Sequence, residues 1–193
     1  MKRQVVLASS SPYRRQILER IDLQFTSHAP DIDESPLLCE SAPTLVARLS
    51  LAKTKAVAGL YPDALIIGSD QVADLHGKIV GKPTSHEDAV RQLEKASGSV
   101  ITLYSGLALY NAVTDDFQSV VEPFVVEFRE LDRDLIERYL EVEQPYNCCG
   151  SLKAEGLGIT LLKRLKGDDP NTLIGLPVIR LVDMLKNAGV ELV

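Results

Sequence analysis

Apolar and polar positions run along this chain in blocks that predict strands and helices in alternation. Val5-Val6-Leu7-Ala8 is a short apolar run and predicts a first strand. A serine-rich turn follows, then a helix from Pro12 to Arg20, whose proline stands where its missing N–H would have gone unpaired. Leu23 to Ser27 predicts a second strand, and Pro30-Asp31-Ile32-Asp33-Glu34-Ser35-Pro36 an acidic loop bounded by prolines. Thr44 to Leu60 predicts a long helix with Leu45, Leu49, Ala52 and Ala56 on one stripe, stopped by Tyr61-Pro62-Asp63. The run Ala64-Leu65-Ile66-Ile67 predicts a buried strand. That strand delivers Ser69-Asp70-Gln71 at its C-terminal edge, where α/β proteins tend to place ligands.

Beyond Asp70, Val72 to Leu75 and Lys78 to Val80 predict a hairpin across His76-Gly77. Ser85-His86-Glu87-Asp88 has the form of a capping box and opens a helix that ends before Gly98. Val100 to Tyr110 and Val120 to Phe128 are long enough for central strands, and Asp132 predicts the cap of a helix carrying Leu135, Ile136, Tyr139 and Leu140. Ile159 to Leu165 predicts a late strand, and Pro177 to Asn187 a last helix closed by Gly189. No repeat, low-complexity tract or linker interrupts the pattern. The expectation is one α/β domain over 1–193 with a mixed sheet, folded as one unit or as two lobes, and a strand order left open.

Composition narrows the function classes. A chain of 193 residues can bury one sizeable core or two lobes around a cleft. A net charge of −6 argues against a general nucleic-acid binder, which needs a basic surface, but admits an anionic small ligand where cations gather locally. The 3 cysteines, with Cys148-Cys149 adjacent, form neither a disulfide framework nor a zinc spacing. The basic start Met1-Lys2-Arg3 precedes an apolar run too short for a signal peptide. No stretch nears the roughly 20 apolar residues that cross a bilayer. A cytoplasmic protein acting on soluble ligands is expected.

Several groups invite chemistry. Ser9-x-Ser11-Pro12-x-Arg14 sets hydroxyls, backbone N–H groups and a guanidinium at a helix start, an arrangement suited to an anion. The same pattern describes an N-capping turn with solvated arginines. Lys82, between Gly81 and Pro83, reads as an aimed ammonium or as a surface lysine in a turn. Lys53 falls at the margin of the apolar stripe, where snorkelling is the simpler reading. Asp70, directly after an apolar strand, needs a cation, a metal or a donor, so a structural salt bridge competes with a functional acid. Glu34 offers a second oxygen ligand, and an oxygen-only set suits Mg²⁺ or Mn²⁺ over zinc. His28, His76 and His86 are scattered, no G-x-S-x-G elbow occurs, and Cys148-Cys149 lacks C-x-x-C spacing, which reads as two buried, inert thiols. One acid among several cations suits a metal-bound polyphosphate.

In this order, Ser9-x-Ser11-Pro12-x-Arg14, Asp33-Glu34, Lys53, Ser69-Asp70-Gln71 and Gly81-Lys82-Pro83 resemble the Maf family of nucleoside triphosphate pyrophosphatases. The similarity continues through Gly150-Ser151-x-x-x-Glu155-Gly156 and Asn171-x-x-x-Gly175-Leu176-Pro177. The resemblance implies a Maf/inosine-triphosphatase-like α/β fold, a mixed twisted sheet with flanking helices and two lobes around a nucleotide cleft. It implies metal-assisted hydrolysis of a nucleoside triphosphate to monophosphate and pyrophosphate, with water attacking the α-phosphorus. In that scheme Asp70 takes the proton of the water and, with Glu34, stands by the metal. Ser9, Ser11, Arg14, Lys53 and Lys82 hold the phosphates.

Gln71, an aromatic at position 13 and Glu155 look like the branch acting on 7-methyl-GTP, whereas the dTTP and UTP branch typically carries threonine at position 71. Chemistry makes sense of that trio. A cationic methylated guanine gains from stacking on Tyr13, Glu155 accepts from its N1 and N2 donors, and Gln71 donates or accepts at a base edge. A dTTP/UTP pyrophosphatase of the same family is the alternative substrate reading. A nucleotide-binding regulator linked to cell division is the alternative of another class, and the presence of Asp70 and Glu34 favours turnover over it. A homodimer is allowed; nucleic-acid and membrane partners are not expected.

Overall fold

The computed structural model describes residues 3–192; Met1 and Lys2 of the basic start, and Val193, lie outside them. β1 (Val5–Ala8) and α1 (Pro12–Arg20) coincide with the predicted elements. Ser11 is the N-cap of α1, its hydroxyl accepting from Arg14 N at 3.4 Å. β2 is Thr26–His28, shorter and later than the predicted strand, because Leu23 closes α1 by donating its N–H to Leu18 O and buries its side chain in the core. α2 (Ala42–Ala58) starts two residues before the predicted helix, capped by the Ser41 hydroxyl. Then follow β3 (Leu65–Leu75), β4 (Lys78–Val80), α3 (His86–Ala96), β5 (Val100–Asn111), β6 (Asp116–Phe128), α4 (Arg133–Glu143), β7 (Leu162–Lys166), α5 (Pro170–Ile174) and α6 (Val178–Asn187).

The fold is mixed α/β. Among the described residues the strands form one 7-stranded sheet in the order β2-β1-β3-β5-β6-β7, with β4 paired to β3. It is mixed, as expected: β1 runs parallel to β2 and β3, while β3–β4 and β6–β7 are antiparallel. The chain divides into two compact units. One comprises Met1–Asp70, Ser105–Glu122 and Asp169–Val193; the other comprises Gln71–Tyr104 and Pro123–Asp168.

In the first unit, alternate residues of β1 and β3 feed two separate cores, as a strand covered on both faces requires. Val5, Leu7, Leu65 and Ile67 pack with Ile17 and Leu18 of α1 and Leu181 and Leu185 of α6. Val6, Ala8 and Ile66 pack on the other side with Val57 of α2. The predicted stripe of α2 is rotated in the structure: its buried residues are Ala42, Leu45, Val46, Leu49, Ser50, Lys53, Thr54 and Val57, while Ala56 is exposed. α5 has no counterpart among the predicted elements. Asp169 caps it by accepting from Asn171 N at 2.8 Å, Pro170 fills its first turn, and Gly175 ends it at φ 111°.

In the second unit the hairpin appears as expected, with Leu75 opposite Lys78. His76 and Gly77 both take positive φ, 54° and 78°, the requirement of a two-residue turn between twisted strands. The Ser85 hydroxyl accepts from Asp88 N, but Asp88 returns its bond to Thr84 N, one residue before the cap. Asp132 caps α4 through Leu135 N at 2.7 Å. The predicted strand Ile159–Leu165 begins as a 3-10 turn, Leu157–Leu161, before β7. Gly156 N and Gly158 N both bond to Lys153 O, which curls the chain there. Among the described residues no helix is long and apolar enough to cross a membrane.

Candidate active site

The site begins where α2 lies on the sheet. A Cβ at Gly68 would come within 2.1 Å of Ser50 O and 2.6 Å of the Thr54 methyl; one at Gly106 would meet Val46 O at 2.1 Å. Only glycines let the helix backbone approach β3 and β5 so closely. The approach buries Lys53, which lies between Ser50 and Thr54 on the same helix. Its Nζ donates to Asp70 Oδ1 at 2.6 Å and lies 3.0 Å from Glu34 Oε1. Lys53 and Asp70 are 5% exposed, so their charges are desolvated together, whereas Glu34 reaches the ammonium from the open acidic loop. Deleting Lys53 would strand the Asp70 carboxylate, at a cost of about 3–5 kcal/mol, whereas deleting Asp70 leaves the ammonium its contact with Glu34.

Two expectations need correction. Lys53 does not snorkel from a helix margin; it is on the buried face, paired with two carboxylates. Asp70 is not at the C-terminal edge of its strand either, because β3 continues five residues further to Leu75. The apolar run stops at Ile67 because Gly68 must admit α2 and Ser69 must hydrogen-bond, not because the strand ends. The last parallel pair is Ala8↔Gly68, so Asp70 lies two residues beyond the C-terminal end of the parallel segment.

The β1–α1 loop contributes Ser9, Ser11 and Arg14. The Ser9 hydroxyl accepts from Ser11 N at 3.1 Å and from Arg14 Nη1 at 3.3 Å. Arg14 Nε donates to Gly175 O at 2.9 Å, and the same carbonyl accepts from the Ser69 hydroxyl at 2.8 Å. Gly175 thus connects the loop to the residue before Asp70. Gly175 takes a left-handed φ of 111°, and Asp169 anchors the segment by also accepting from Ile179 N. Of the two readings of the loop, the capping turn holds in part: Ser11 is a helix cap, but Arg14 is half-buried and bonded to Ser9 and Gly175, not solvated. Tyr13, half-buried, occupies the first turn of α1.

Gln71, Lys82 and Glu155 belong to the second unit. Gln71 is half-buried on β3, and its carbonyl accepts from the Cys149 thiol at 3.0 Å. Lys82 is exposed after a turn whose Gly81 carbonyl accepts from Gly150 N at 3.0 Å. Glu155 is exposed, and its charge joins that of Glu143 in holding the Lys153 ammonium above its usual pKa, the Glu143 hydrogen bond being the larger cause. The structure brings Lys53, Asp70 and Glu34 into one cluster and Ser9, Ser11 and Arg14 into another.

Cys149 corrects the reading of its pair as buried and inert: both cysteines are half-buried, and this thiol engages Gln71. The histidines are scattered as expected. His28 meets Tyr61, His86 meets Glu137 and Tyr146, and His76 forms the hairpin turn. Ser69, Asp169 and Gly175 were overlooked as positioning residues. Asp169-Pro170, an N-cap before a proline, was a readable signal for α5.

Among the described residues no group of three or more His, Cys, Asp and Glu side chains could cage a metal ion. Glu34 and Asp70, whose carboxylates meet at the Lys53 ammonium, are the residues that could hold a divalent cation shared with substrate phosphates. The donor set is all oxygen, and it does not fit zinc.

A family model described as Maf-like protein matches residues 4–188, and the chain belongs to the Maf family. Three curated relatives span nearly its whole length, and each is named 7-methyl-GTP pyrophosphatase. The protein from Pseudomonas savastanoi pv. phaseolicola is 56% identical over 97% of both chains. The one from Pseudomonas aeruginosa is 54% identical over 97% of this chain and 98% of its own. The one from Methylobacillus flagellatus is 51% identical over 98% of both. The solved structure of the Staphylococcus aureus Ham1 protein overlaps 66% of this chain and 73% of its own at a TM-score of 0.48 and 13% identity, a likeness that carries no argument.

Proposed function

We propose that this chain is a single Maf-like domain over 1–193 that hydrolyses 7-methyl-GTP to 7-methyl-GMP and pyrophosphate. The observation that carries the reading is the buried Lys53–Asp70 contact, with Glu34 on the same ammonium, in a chain more than half identical to relatives named for that activity.

In this reading Asp70 is the general base. Lys53 holds Oδ1 of its carboxylate, which orients the group and assigns Oδ2 to the attacking water. The proton goes to Asp70 as the water oxygen bonds to the α-phosphorus, and the bond from that phosphorus to the bridging oxygen of pyrophosphate breaks. Ser9, Ser11, Arg14, Lys53 and Lys82 bind the phosphates. The guanidinium fork of Arg14 is held ready by Gly175 O and the Ser9 hydroxyl. Asp70 and Glu34 would hold a divalent cation, Mg²⁺ or Mn²⁺. When bound, it supplies positive charge that offsets the phosphoryl oxygens. Tyr13 stacks on the cationic base, Glu155 accepts from its N1 and N2 donors, and Gln71 reads an edge.

We place the activity in the cytoplasm, where a free nucleotide pool lies. A panel of 7-methyl-GTP, GTP, dTTP and UTP, scored for pyrophosphate release, tests the substrate assignment. The methylated nucleotide is expected to have the highest kcat/KM, and a preference for dTTP and UTP would move the chain to the other branch.

A further inference from the structure

One turn of the second unit is bonded to the segments that carry Gln71 and Lys82 and leads into the one that carries Glu155. The Cys149 thiol donates to Gln71 O, and Gly150 N donates to Gly81 O, one residue before Lys82. The turn is bent into an uncommon shape: Gly150 has φ 64° and Ser151, a residue with a Cβ, has φ 56°. A serine holds that conformation only when its surroundings over-determine it.

Two helices supply the surroundings. Tyr139 of α4 donates its hydroxyl to Ser151 O at 3.1 Å and accepts from Lys153 N at 3.0 Å. Ser151 Oγ donates to Gln92 Oε1 of α3 at 2.7 Å. Tyr139 is 4% exposed and Ser151 fully buried, so neither bond has water as a substitute. Burial pushes the Tyr139 hydroxyl well above its usual pKa, so it remains a donor. Past Lys153 the chain is pinned on both sides of Glu155. Lys153 Nζ and Leu157 N both donate to the Glu143 carboxylate, and a Cβ at Gly156 would meet that carboxylate at 2.5 Å.

We propose that Tyr139 is a positioning residue for base selectivity, acting through the Cys149–Ser151 turn on the backbone that presents Gln71 and through Lys153 N on the segment that leads to Glu155. The proposal rests on the assignment of those two residues to the base. Its physical content is leverage. Tyr139 touches neither Gln71 nor Glu155 through any bond described above, yet it holds the turn that meets the first and the strand of chain that leads to the second.

The test measures kcat and KM for 7-methyl-GTP and for dTTP in wild type, Tyr139→Phe, Cys149→Ala and Cys149→Ser. Phenylalanine keeps the ring and removes only the hydroxyl, and serine keeps a donor at position 149. Tyr139→Phe is expected to raise KM for 7-methyl-GTP about tenfold with kcat within about twofold, while kcat/KM for dTTP holds. Cys149→Ala should move the preference the same way, and Cys149→Ser should restore most of it. A parallel loss for both nucleotides, with a lowered Tm, would make Tyr139 merely structural and overturn the proposal. So would an unchanged preference in Tyr139→Phe and Cys149→Ala. Gln71→Ala and Glu155→Ala separate the two levels: if they too leave the preference intact, base recognition by these residues is what fails. If they change it while Tyr139→Phe does not, only the positioning role fails.

Discussion

Lys53 Nζ lies 2.6 Å from Asp70 Oδ1, a contact made across 17 residues of sequence by a helix pressed onto a strand. Both side chains are buried, and Glu34 reaches the same ammonium from an exposed loop. The pair is therefore an internal ion pair that an exposed carboxylate joins, and the proposed general base is one of its members.

Asp70→Asn keeps the shape of the side chain and removes its ability to take a proton. Turnover of 7-methyl-GTP is expected to fall about 10²–10⁴-fold, with nucleotide affinity changed little and circular dichroism preserved. Lys53→Met, by contrast, leaves the Asp70 carboxylate buried without its cation and should cost about 3–5 kcal/mol in urea unfolding. Wild-type turnover in Asp70→Asn would remove the general-base role.

The closeness of α2 to the sheet is itself testable. Gly68→Ala places a methyl 2.1 Å from the Ser50 carbonyl, a backbone atom that cannot turn aside. It should destabilise the protein by about 1–3 kcal/mol, or more, and lower kcat by displacing Lys53 from Asp70. Gly59→Ala is the matched control, because nothing lies within 4 Å of its Cβ and its φ is −63°. It should be neutral or stabilise by about 0.4–1 kcal/mol. Equal loss in the two variants, read by thermal unfolding, would contradict the close approach.

The loop that carries Glu34 is fastened by Glu40 and Arg48. Arg48 donates to Glu40 from Nε and Nη2, both at 2.7 Å, and Leu37 N adds a third bond at 2.9 Å. These bonds, that of Arg48 first, lower the Glu40 pKa from its usual 4.5 to about 2. A carboxyl lowered by folding adds stability above its unfolded pKa. That contribution is lost as pH falls through the interval from 4.5 to about 2. A carboxyl-carbon NMR titration should place the Glu40 midpoint near 2, and Arg48→Met should return it towards 4.5. A midpoint near 4.5 in the native protein would show the fastening to be absent.

Much of the framework was readable where local signals agreed. Val5–Ala8 is a wholly apolar strand and Ser11-Pro12 a helix cap followed by its proline, so β1 and α1 stand where expected. The readings that missed did so at polar residues whose roles are tertiary. A lysine does not count towards an apolar face, so the stripe of α2 was rotated away from Lys53, whose burial depends on a carboxylate in another element. Ser69 and Asp70 made β3 look finished, although the strand continues through them. Ile159–Leu165 has the apolarity of a strand, but the glycines at 156 and 158 curl its first part. Of the candidate site, the residues that meet at Lys53 were legible as a set from motif order. The bonds joining Arg14, Gly175 and Ser69 were not, because two of them end on a backbone carbonyl that has no sequence signature.

The most direct measurement follows the oxygen of water. Hydrolysis of 7-methyl-GTP in ¹⁸O-enriched water, with products separated and weighed by mass spectrometry, should give 7-methyl-GMP carrying one label and unlabelled pyrophosphate. Label in the pyrophosphate, or release of orthophosphate with 7-methyl-GDP, would place the attack on a different phosphorus and contradict the account.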